Sequence, residues 1–156
     1  MDEAPRDEDI DDAFRAFLEG LRTTLPGVQV LFAFLLILPL QESFHDLARS
    51  ERVAFYFAFF GSALASILLI APSAHQRLRA PISGVKRRSA RHLQITVRIT
   101  IVGTVIFAVA LAAAVYLVSS LVMDGIGVIL ATIAVTALLG WSWFYVPLVT
   151  FSDHKK

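Results

Sequence analysis

Long apolar stretches alternate with polar connections along this chain, and the apolar ones occupy residues 25–40, 53–72, 99–122 and 127–147. None of these stretches contains an Asp, Glu, Lys or Arg. A helix needs about 20 apolar residues to cross the hydrocarbon layer of a bilayer, so the last three are long enough to span unaided. Residues 25–40 fall short of that length, and two readings of them stay open. They form a re-entrant segment, or the preceding helix runs on through Thr23 and Thr24, Pro26 becomes a kink inside it, and the span gains the missing length. Crossing is the favoured reading.

Ahead of this stretch the period changes. Ile10, Phe14, Phe17, Leu18 and Leu21 recur at helical spacing on one face, with Asp11, Asp12, Arg15, Glu19 and Arg22 on the other, which predicts an amphipathic helix with an Asp11–Arg15 pair one turn apart. Residues 1–9 are acidic and carry no apolar pattern, so disorder is expected there. The whole predicts an all-α fold, a four-helix transmembrane bundle preceded by an amphipathic cytoplasmic helix. Residues 10–152 make a single membrane domain, and 153–156 are a short tail. Within the second span, Ala54, Ala58, Gly61 and Ala65 form a ridge of small side chains against which a neighbouring helix can pack closely. Asp124-Gly125 marks a tight turn that makes the last two spans a hairpin, and Trp141, Trp143 and Tyr145 are placed as an aromatic belt.

Composition agrees with lipid as the solvent: 56% of the 156 residues are hydrophobic, 17% are charged, and mean hydropathy is +0.68. The absence of cysteine excludes disulfides, thiolate metal sites and a cysteine nucleophile. An acidic start without a short apolar core argues against a cleaved secretory signal, which makes the first span a retained anchor. Net charge is only +1, but its distribution is informative. With four crossings, only Arg49 and Arg52 of the 14 basic residues lie opposite the basic loop at 73–98. The positive-inside rule then expects a multi-pass protein of the inner (plasma) membrane with both termini in the cytoplasm.

Candidate chemistry is sparse. Gln29 is the strongest polar candidate, because an amide left unpaired in hydrocarbon is costly and must find a partner or line a path. Ser62, Ser66, Thr100, Thr104, Thr132 and Thr136 recur at helical spacing and either form a polar seam or bond carbonyls of their own helices. Glu19, Arg22, Arg52, Arg77 and Asp124 are the candidate interfacial charges. Lys86, Arg87, Arg88 and Arg91 suit anionic lipid head groups, at about 1 kcal/mol for each basic residue near the surface. The four histidines lack metal-ligand spacing, so no metal and no cofactor are expected. Neither a nucleotide-binding glycine pattern nor a nucleophile–base pair occurs, which argues against an enzyme and against nucleic acid as a partner.

The residues Phe17-Leu18-Glu19, Leu21-Arg22, Gly27-Val28-Gln29, Phe34-Leu35-Leu36, Pro39, Phe44, Leu47, Arg52, Ala71-Pro72 and Arg77 resemble a family of small four-span bacterial membrane proteins of unknown function. Some members of that family carry the label sodium:proton antiporter. The family's adjacent His-Arg pair is here interrupted, with Gln76 between His75 and Arg77. The expectation is a homo-oligomer in the lipid bilayer that transports or conducts ions or protons. The alternative is a non-transporting interaction or scaffold protein acting through its acidic tail and basic loop.

Overall fold

A computed structural model describes residues 7–79, 90–146 and 149. Among them are four α-helices: α1 Asp7–Ile37, α2 Arg49–Arg79, α3 Ala90–Val122 and α4 Ile126–Gly140. Short 3-10 turns at Leu38–Leu40 and Glu42–Phe44 join α1 to α2, and a π-turn, Trp141–Tyr145, continues α4. Each helix supplies one stretch long and apolar enough to cross a membrane: Arg15–Leu40, Arg49–His75, Gln94–Val122 and Ile126–Tyr145.

The expected architecture of four spanning helices plus a separate amphipathic one is corrected here. The amphipathic segment and the first span are one helix of 31 residues with Pro26 inside it. Pro26 removes a single hydrogen bond, to the carbonyl four residues back, and leaves the rest of the ladder in place. Just before it the Thr23 and Thr24 hydroxyls both donate to the Gly20 carbonyl, at 2.8 and 3.1 Å, so these polar residues are accommodated within the helix instead of ending it. At 1.5 Å per residue α1 is roughly 46 Å long, ample for the hydrocarbon layer, which removes the shortage of length that left a re-entrant segment open. The helix starts at Asp7, inside the acidic segment. Arg15 pairs with Asp12 at 3.9 Å on a largely exposed face, and the side chain of Asp11 lies outside the described residues.

The chain divides into two compact units, each with its own buried set. The first unit comprises Met1–Phe34 and Ser62–Phe107. Its core contains Leu21 and Val28 from α1, Ser62, Ala65 and Leu69 from α2, and Thr96 and Phe107 from α3. Here α2 and α3 approach closely at Gly103: a Cβ placed on it would lie 3.1 Å from Leu68 Cβ and 3.2 Å from Leu69 Cγ and Cδ2. A glycine at this point lets two helices pack at backbone distance, which in lipid replaces the hydrophobic drive that lipid tails cannot provide.

The second unit comprises Leu35–Gly61 and Ala108–Lys156. Leu35, Leu38, Leu47, Ala54, Phe55, Ala58, Ala110, Ala114, Leu117 and Val128 are buried in it. The polar connection after α1 folds back through Phe44, whose ring meets Phe55 edge-on at 4.9 Å, while Phe55 stacks on Phe59 at 5.7 Å. Helix α2 opens on half a capping box, the Glu51 carboxylate accepting the Ala48 N–H at 2.8 Å. The link from α3 to α4 turns at Gly125, whose φ of 59° and ψ of −122° suit a residue without a side chain. Val128 is the buried residue of α4, with Gly127, Ala131, Thr132, Val135 and Leu139 half-buried beside it and the remaining side of the helix exposed. Along α2 the expected small-residue ridge faces inward, with Ala54, Ala58 and Ala65 all buried.

Candidate functional site

Gln29 lies in α1 one turn beyond Pro26, in a helix whose inward side is marked by Leu21, Val28 and Leu35. One residue is about 100° of helical rotation, so the position after Val28 points well away from that inward stripe. The structure agrees: Gln29 is exposed, and among the described residues its amide has no hydrogen-bond partner. The same outward side of α1 carries Glu19, Arg22, Pro26 and Ala33, all exposed.

The hydroxyl-bearing positions are mostly engaged with their own helices. Ser66 donates to the Ser62 carbonyl at 2.8 Å, Thr104 to the Thr100 carbonyl at 3.0 Å, and Thr132 to the Val128 carbonyl at 2.8 Å. This is the local back-bonding that lets Ser and Thr sit in apolar helices. Ser62 is fully buried. Thr136 is exposed on α4. Thr100 differs from the rest, because its Oγ1 is shielded from solvent yet has no partner among the described residues. Thr96, one turn earlier, is buried too.

Glu19 and Arg22 share the outward side of α1, Arg52 reaches the Leu47 carbonyl at 3.5 Å, and Asp124 is exposed in the α3–α4 turn. Arg77 belongs to α2, but its side chain lies outside the described residues, as does that of Arg91 in α3. Lys86, Arg87 and Arg88 lie outside them altogether, as does the acidic segment 1–6, so the lipid head-group site and a tail-to-loop contact have no geometry to report. Among the described residues no three of His, Asp and Glu come together as a metal cluster.

Sequence reasoning passed over two positions that the packing singles out. Gly103 carries no signal in the sequence, because a glycine within an apolar run looks like any other small residue until a neighbour is seen against it. Glu51 was visible as a charge in a loop, and its capping role depends on α2 starting at Arg49.

An α-helical chain with four apolar helices of spanning length is a multi-pass membrane protein. The model of a family of unknown function, DUF6328, matches residues 3–147, and the chain belongs to that family. No curated protein and no solved structure matches it.

Proposed function

We propose that this protein works as an assembly of identical copies in the inner (plasma) membrane, and that ions or protons pass along the line where copies meet. The observation that carries the reading is the outward, unpaired Gln29 amide in the first span. The back-bonded hydroxyls support it from the other side, since Ser66, Thr104 and Thr132 spend their donors on carbonyls of their own helices and leave little to line a path inside one copy. The test is ion or proton flux into liposomes containing the purified protein. Flux above empty liposomes, abolished by Gln29→Leu, is the expected result. Flux that Gln29→Leu leaves untouched removes the role of Gln29, and no flux from the wild type removes transport.

The absence of any Asp, Glu, Lys or Arg in stretches 25–40, 53–72, 99–122 and 127–147 favours a second reading, a non-transporting interaction or scaffold protein. A carboxylate relay of the kind proton exchangers use has no residue at mid-depth to run through. In both readings the protein is not an enzyme and its termini face the cytoplasm, with the basic loop beside anionic lipid head groups. Binding of the protein to vesicles with and without anionic lipid, compared before and after neutralising Lys86, Arg87 and Arg88, checks the last point.

A further inference from the structure

We infer that α1 pairs in parallel with α1 of a second copy, along the stripe formed by Glu19, Arg22, Pro26, Gln29 and Ala33. These residues are separated alternately by three and four positions, the spacing that keeps one seam facing a partner helix through a left-handed crossing. All of them are exposed in the single chain. The stripe is distinct from the inward side of the same helix, which runs through Leu21 and Val28. It deepens the assembly reading given above and is independent of whether anything is transported.

Three features on this stripe call for the same partner. The Gln29 amide carries both donors and an acceptor, so two copies related by a twofold axis along the membrane normal satisfy each other in a way that lipid tails cannot. The same axis sets Glu19 beside Glu19 and Arg22 beside Arg22 in neighbouring layers, and the long side chains offset this like-charge contact by crossing from Glu19 of one copy to Arg22 of the other. Ala33 and the compact ring of Pro26 flank Gln29 and keep the helices close enough for the amides to meet. A different protein would have to supply an amide and both charges at matching heights. A second copy supplies them by symmetry.

The chain has no cysteine, so single cysteines report the seam directly in membranes containing the full chain. Oxidation is expected to join copies carrying Pro26→Cys or Ala33→Cys and to leave Gly27→Cys and Phe34→Cys, exposed on a different side of the helix, monomeric. Adding Gln29→Leu to the Ala33→Cys chain should weaken association about tenfold, the size of one to two interhelical amide bonds in a membrane. Gln29→Asn should recover most of it. Glu19→Arg should weaken association likewise, and the double change Glu19→Arg with Arg22→Glu should restore it. Equal cross-linking at all the cysteine positions, cross-linking at Gly27 and Phe34 instead, or no response to Gln29→Leu would overturn the pairing. Because this readout contains no flux, pairing without transport and transport without this pairing are told apart.

Discussion

The same substitution, glycine to alanine, is expected to act in opposite directions at Gly103 and Gly20. At Gly103 the added carbon arrives 3.1 Å from Leu68 Cβ and 3.2 Å from Leu69 Cγ. Leu68 Cβ is fixed to the backbone and cannot swing aside, so α2 and α3 must part by a few tenths of an ångström. Overpacking of this sort costs about 1–3 kcal/mol. Replacing glycine in a helix returns about 1 kcal/mol through the lower entropy of the unfolded chain. The net for Gly103→Ala is thus a loss of roughly 0–2 kcal/mol. Around Gly20 a Cβ meets nothing within 4 Å, so only the helix gain remains. Subtracting one variant from the other cancels the propensity term and leaves the packing term of about 1–3 kcal/mol. Unfolding in mixed micelles, followed by far-ultraviolet circular dichroism as denaturing detergent is raised, measures both. Equal shifts of the two midpoints in the same direction would refute the close approach at Gly103.

Other positions give equally direct readings. Gly125→Ala places a side chain at φ 59° and ψ −122°, and is expected to cost about 1–3 kcal/mol and lower the thermal midpoint. Thr100→Val removes a buried hydroxyl that has no partner among the described residues, and is expected to raise stability by about 1–2 kcal/mol in the same unfolding assay. Glu51→Ala removes the bond that caps α2 at Ala48 and should cost about 0.5–1 kcal/mol, with Glu51→Gln retaining most of the stability.

How far the architecture was legible in the sequence depended on which force set each feature. The apolar stretches are unmistakable because their length is dictated by the bilayer, and the inward ridge at Ala54, Ala58 and Ala65 follows from helical spacing and small size together. The extent of α1 was harder to read. Thr23, Thr24, Pro26 and Gly27 in succession are all helix-weakening by composition, and dividing the segment there was the natural mistake. The threonine hydroxyls bond back to Gly20, and Pro26 costs only one bond of a long ladder. Gln29 was conspicuous as the amide of the first apolar stretch, but its direction was not, because α1 shows enough apolar residues on every side that the pattern alone did not choose an inward face. The hydroxyl seams illustrate the reverse case. Their periodicity was plain, and it turned out to reflect local bonding at Ser66, Thr104 and Thr132, with Thr100 the exception that packing leaves unsatisfied.

The four-span architecture depends on α1 crossing the membrane as one helix through Pro26. Single cysteines at Asp12 and Ser43, both exposed and on opposite ends of the stretch Arg15–Leu40, decide it when membrane-impermeant maleimide is applied to sealed vesicles of known orientation. Labelling from opposite faces, with Asp12→Cys reached from the cytoplasmic side, is the expected result. Labelling of both from the same face would contradict a crossing α1, and with it the four-span account of the protein.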